Sequence, residues 1–123
     1  MITSTGIGSW GKAAICDVER AFAAVDLVVV HVDQDVIDPL VLLAFVWSNS
    51  GKVQFHQRAR GSTRMTHLYE RDIATLLVPS LSRSQRDKVS NAMALYFEAL
   101  QEADRYSDQA IAAVETFIAG GGR

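Results

Sequence analysis

Five cations crowd the middle of this chain. Lys52, Arg58, Arg60, Arg64 and Arg71 fall within residues 51–71, GKVQFHQRARGSTRMTHLYER, against Glu70 as the one acid. The stretch is net +4; the whole chain is −2, so the remainder is −6. Arginines around a Gly-Ser-Thr turn inside an acidic protein predict a local anion-binding surface, and a phosphate backbone is the anion that suits it. The competing reading is an ordinary solvated basic face. Arginine forks onto guanine O6/N7 or onto phosphate oxygens. The hydroxyls and backbone N–H groups of a Gly-Ser-Thr turn suit phosphate oxygens. The candidate contacts are therefore Lys52, Arg58, Arg60, Ser62, Thr63 and Arg64, with Lys12, behind a glycine-rich stretch, as a further one.

Other chemistry is hard to assemble from these residues. His31, His56 and His67 are scattered and have no cysteine partner at metal-ligand spacing, so no metal site is expected. No G-x-G-x-x-G and no Walker loop is present, so no nucleotide cofactor is expected. The segment Thr5-Gly6-Ile7-Gly8-Ser9-Trp10-Gly11 is too irregular for a phosphate loop and reads as a tight hairpin or bulge. Cys16 has no neighbouring histidine and reads as a small buried hydrophobe. A lone cysteine excludes an internal disulfide and fits a reducing cytoplasm. Trp10, Phe22, Phe45 and Trp47 sit among apolar neighbours and read as core packing. No catalytic residues are expected, because no nucleophile–base pair can be named.

The elements that must position the basic segment follow from the patterning. Length and the 49% hydrophobic content bound the chain to one small folded domain, or to one plus an appended element. The longest apolar run, Pro39–Trp47, is too short for a bilayer, which takes about 18 residues. The first ten residues lack a signal-peptide pattern. Lys12–Cys16 predicts a short strand, and the β-branched Val25–Val32 a central strand buried on both faces. Asp38-Pro39 predicts a helix start with Asp as N-cap, and Leu40, Leu43, Ala44 and Trp47 share one of its faces. The Ser48–Gly51 cluster ends that helix. Lys52–Arg60 predicts a second helix, with Val53 and Phe55 among its few apolar positions, stopped by Gly61. Ile73–Val78 predicts a strand closed by Pro79.

One long helix is predicted from Arg83 to Ala119. Ser82 and Gln85 form a capping box at its start and Gly120-Gly121-Gly122 stop it. Met93, Phe97, Leu100, Asp104, Ser107, Ile111, Val114 and Ile118 make a heptad seam with a polar step at Asp104 and Ser107. A second seam, Tyr96, Ala99, Ala103, Tyr106, Ala110, Ala113 and Phe117, runs beside it. At about 1.5 Å per residue such a helix reaches roughly 55 Å, longer than a domain of about 80 residues is wide, so part of it is expected to project and find a partner.

In this order the segments resemble the specificity subunit of type I restriction-modification systems. ITSTGIGSWGKAAI is similar to the family's small-residue stretch ending in Gly-Lys before a strand. VDLVVVHVDQDVIDPLVLLAFVWS is similar to its strand, Asp/Asn-Pro and apolar helix. ARGSTRMTHLYERDIATLLVPSLSRSQRDKV resembles its Gly-Ser-Thr turn, a strand ending in Pro and a helix opening with Gln; EADRYSDQAIAAVETFI resembles its coiled-coil helix. The likeness covers nearly the whole chain and rests on order and spacing. Family members usually close the strand with Pro-Leu-Pro, whereas Val78-Pro79-Ser80-Leu81-Ser82 carries a single Pro. The likeness also places Met1 inside the middle of a recognition domain, which implies a piece or a shortened relative with a sheet edge in need of a partner.

The resemblance implies an α+β fold: residues 1–80 as a partial target-recognition domain of mixed α/β structure, and residues 81–123 as a long coiled-coil helix. It implies a non-catalytic, cytoplasmic component that binds a half-site of double-stranded DNA and docks methyltransferase subunits. The chain also lacks the Asn/Asp-Pro-Pro-aromatic motif of an adenine methyltransferase. In the family the equivalent helix pairs antiparallel with its counterpart. The single helix here is expected to form a homodimer through Met93, Phe97, Leu100, Ile111, Val114 and Ile118. The competing expectation is a coiled-coil interaction module, or a mimic of the specificity subunit, that does not bind DNA.

Overall fold

The computed structural model of the protein describes residues 1–4, 11–16, 18–61 and 66–121. It is a small mixed α/β protein, mostly helical. The elements are β1 (Ile2–Thr3), β2 (Leu27–Val28), α1 (Pro39–Trp47), α2 (Asn49–Arg58), α3 (Glu70–Ala74) and α4 (Arg83–Ala119). The chain divides into two compact units, Met1–Ser90 and Asn91–Arg123. The glycine-rich stretch over residues 5–10 lies outside the described residues, Trp10 with it.

The sheet is smaller than the sequence predicts. β1 pairs antiparallel with β2, Ile2 opposite Val28 and Thr3 opposite Leu27. Lys12–Cys16, expected as a strand, adds one bridge, Ala13 opposite Ile2. Val25–Val32, expected as a central strand, is an edge among the described residues: there only Leu27 and Val28 are paired as a strand, and Val25 and Val29 are exposed. With one strand neighbour among the described residues, the run packs Val28 and Val30 against the core and leaves Val29 and His31 exposed. Two further expectations fail nearby, since Cys16 and Phe22 are exposed rather than buried.

α1 starts where the sequence places it. The Leu40 N–H donates to Asp38 Oδ1 at 2.7 Å, and Pro39 occupies the first helical position. The Ser90 hydroxyl donates to the other carboxylate oxygen at 2.6 Å. Asp38 therefore serves a cap and a tertiary bond at once. Asp38→Ala should lower stability by about 1–2 kcal/mol, the usual cost of removing a cap plus one bond, as a fall in the urea midpoint. The buried residues of α1, Val41, Leu43, Phe45 and Val46, lie on more than one side of the helix, and only Leu43 of them belongs to the predicted Leu40/Leu43/Ala44/Trp47 face. A helix that is apolar all round has to be buried all round.

Ser48 closes α1 and opens α2. Its N–H donates back to Ala44 and Phe45 carbonyls, and its hydroxyl accepts from the Gly51 N–H at 3.2 Å. That shared cap starts α2 three residues earlier than predicted. The corner is tight. A Cβ on Gly51 would overlap the Phe45 carbonyl oxygen and lie 2.9 Å from that of Val46, so a glycine is needed there. The turn drives Phe55 into a core of Ile2, Phe45, Val46, Leu68 and Ile73.

The predicted strand Ile73–Val78 is instead the end of α3 followed by an extended stretch. Asp72 Oδ2 accepts the Tyr69 N–H at 3.2 Å, which begins a helical turn inside the apolar run. The extended remainder bonds to a side chain in place of a strand: Gln54 donates to Leu77 O and accepts the Leu77 N–H, both at 2.9 Å.

α4 has the predicted bounds and the predicted cap. The Ser82 N–H donates to Gln85 Oε1 at 2.9 Å and the Gln85 N–H to Ser82 Oγ at 3.4 Å. Gly121, at φ +65°, stops it. No residue of α4 is buried, and Leu100, Ile111, Val114 and Ile118 are exposed along the seam. No helix among the described residues is long and apolar enough to cross a membrane.

Candidate nucleic-acid interface

The basic segment is built from α2, the connection after it, and α3. α2 carries Lys52 and Arg58; Ala59 then takes an extended conformation as its C-cap. Arg60 and His67 exchange two backbone hydrogen bonds, of 3.0 and 2.7 Å, which bring the two ends of the connection together. Leu68, only 2% exposed, anchors the far side, and its N–H donates to Ser4 O at 2.8 Å. The segment bearing Lys12 packs on α2 as well: a Cβ on Gly11 would lie 3.4 Å from the Phe55 ring.

The candidate cations differ in how they are held. Lys12 and Lys52 are exposed. Arg58 is a brace: Nη1 donates to Gln54 O at 3.1 Å, Nε to Thr75 Oγ1 at 3.0 Å and Nη2 to Thr75 O at 2.8 Å. Three of its five N–H donors are thus committed, and a positive charge sits at the C-terminal ends of α2 and α3, where the helix dipoles favour it. Arg60 is shared. Its Nη2 lies 3.2 Å from Asp72 Oδ1, with the arginine side chain 62% exposed and the aspartate 6%. One face of that guanidinium is held and the rest stays open to solvent. Ser62, Thr63 and Arg64 lie outside the described residues.

Sequence reasoning missed Asp72, Thr75 and the pairing of a half-buried His67 ring with an exposed Tyr69 ring. Asp72 sits one residue past the basic window, so counting it lowers the local surplus from +4 to +3. The signal for it was an aspartate three residues after Tyr69, at the position that bonds back to an N-cap N–H, hidden by the apolar run that follows. The His67 and Tyr69 rings stack with centroids 6.1 Å apart and planes at 25°. The Arg71 guanidinium lies 5.3 Å from the Tyr69 ring centroid, a cation–π distance. Among the described residues no three His, Cys, Asp or Glu side chains gather as a metal site requires.

No protein-family model matches the chain, and no curated protein or solved structure matches it.

Proposed function

We propose that the chain is a non-catalytic DNA-recognition component of a type I restriction-modification system. Residues 1–80 act as a partial target-recognition domain that contacts a half-site of double-stranded DNA. Residues 81–123 form a helix that homodimerises and docks the methyltransferase subunit, in the cytoplasm. One observation carries the DNA reading: Lys52 and Arg60 stand exposed on α2 and on the connection after it, an element that Arg58 braces to α3 through Thr75. A preorganised cationic surface loses little side-chain entropy on meeting phosphates.

Fluorescence anisotropy with duplex DNA tests it. Arg58 braces the fold, so the informative variant is Arg60→Ala/Arg64→Ala. Its slope of log affinity against log salt should fall by about 0.9 for each phosphate that an arginine no longer neutralises, at most about 1.8 in all. A wild-type chain that fails to bind at low salt would sink the DNA reading. It would leave the second reading, a coiled-coil interaction module or specificity-subunit mimic. The commitment of Arg58 to Gln54 and Thr75 favours that second reading, because such an arginine is already structural.

The dimer reading has its own support. The seam is the same read from either end. In an antiparallel pair Met93 meets Ile118 of the second copy, Phe97 meets Val114, Leu100 meets Ile111, and Asp104 meets Ser107. The polar step then falls on itself at the centre, where each Ser107 hydroxyl can donate to the opposite Asp104 carboxylate. A parallel pair would instead set the two Asp104 carboxylates side by side in one layer, at a desolvation and repulsion cost.

A further inference from the structure

We infer that Arg60 is a base reader, forked onto a guanine, and that Asp72 is the residue that positions it, two roles that rest on the DNA reading above. Arg60 is held at both ends. Its backbone exchanges hydrogen bonds of 3.0 and 2.7 Å with that of His67. At the tip, Nη2 donates to Asp72 Oδ1 at 3.2 Å. That carboxylate is itself fixed: its other oxygen accepts the Tyr69 N–H at 3.2 Å, and the side chain is 6% exposed. The helix that carries Asp72, α3, is tied to α2 by Arg58 through Thr75. An arginine fixed at its root and at its tip meets a planar acceptor with little further loss of rotamer freedom.

The contact with Asp72 leaves a fork open. A guanidinium offers two donor pairs, Nη1–Nη2 at its end and Nε–Nη2 along its side. A single bond from Nη2 uses one hydrogen, so one pair stays whole on a side chain that is 62% exposed. A whole pair suits guanine O6/N7 and phosphate oxygens alike. Charge decides between them. Asp72 neutralises Arg60, and a phosphate on the open edge would set a second anion near a buried carboxylate. The guanine edge is uncharged and carries no such penalty. Lys12 and Lys52 are exposed and, among the described residues, have no carboxylate of this kind, so they anchor phosphates as point charges. Arg60 then supplies sequence preference, and the lysines supply affinity that any sequence shares.

The test uses the full chain and a library of DNA duplexes with a randomised centre. Wild type should enrich duplexes that share a guanine at one position. Replacing that G·C pair by A·T should weaken binding about 5- to 150-fold, the worth of one bidentate contact. Arg60→Ala should bind the two duplexes equally, with its slope of log affinity against log salt unchanged, since no phosphate contact goes with the arginine. The fall in slope expected of Arg60→Ala/Arg64→Ala then comes from Arg64 alone. Asp72→Asn keeps an oxygen for the Tyr69 N–H and loses the charge that holds Arg60. It should flatten the guanine preference and steepen the slope by about 0.9, as the freed arginine takes up a phosphate. Asp72→Ser gives the same reading if the asparagine variant does not fold. A merely structural Asp72 would produce neither change. Enrichment without a common guanine would overturn the inference. So would an Arg60→Ala chain that keeps the preference or loses about 0.9 of slope, and so would an Asp72→Asn chain with the wild-type preference and slope. A library from which nothing binds at low salt would sink the DNA reading itself, and both roles with it.

Discussion

Phe55→Ala should cost the first unit about 3–5 kcal/mol, the usual range for emptying a buried phenylalanine site. Small domains hold only about 5–15 kcal/mol in all, so the variant should sit close to unfolding. Phe55 is 1% exposed and packs with Ile2, Phe45, Val46, Leu68 and Ile73. The site cannot collapse easily, because the Gly51 corner already presses α2 against the Phe45 and Val46 carbonyls. At a urea m-value of about 1.5 kcal/mol/M the midpoint should fall by about 2–3 M, followed by tryptophan fluorescence. Val53→Ala, two residues away on the exposed side of the same helix, should stay within about 0.5 kcal/mol. Equal destabilisation by both variants would mean that α2 is not packed as described. The consequence reaches the basic surface, since Arg58 lies one turn beyond Phe55 and holds α3 through Thr75. A chain without the Phe55 ring should lose its cation framework as well.

The helices were the legible part of this sequence, because their signals are local. Asp38-Pro39, the Ser82/Gln85 box and the glycines after Ala119 each name a helix end through one turn of backbone chemistry, and all three ends stand where those residues put them. The β elements were not legible, because a strand is defined by its neighbours. Val25–Val32 has the composition of a central strand, but among the described residues only β1 pairs with it, which makes it an edge there. IATLLV has strand composition too, yet one buried carboxylate, Asp72, and the side chain of Gln54 decide its path. For the basic segment, the sequence showed charge but not its use. Arg58 and Arg60 look alike in a charge count, whereas one spans two helix ends and the other leans on Asp72 with most of its side chain in water. That distinction depends on residues 12 and 17 positions further along the chain, beyond any local pattern.

Ile111→Lys should convert the proposed dimer to monomer. The substitution places a lysine at two layers of the seam in every dimer, and an unpaired buried charge costs about 3–5 kcal/mol. At about 1.4 kcal/mol per tenfold, even one such layer weakens association by about 10²–10³-fold. Leu100→Glu should do the same with the opposite sign. The double variant then separates the orientations. In the antiparallel register Leu100 of one copy meets Ile111 of the other, so Leu100→Glu/Ile111→Lys brings opposite charges together and should recover much of the association that either single removes. In a parallel pair the same double variant sets glutamate against glutamate and lysine against lysine, and should be weaker than either single. Sedimentation equilibrium at tens of micromolar reads all four chains. A monomeric wild type would remove the dimer altogether. A double variant weaker than both singles would keep the dimer but reverse its direction, and the matched Asp104–Ser107 step could then no longer set the register.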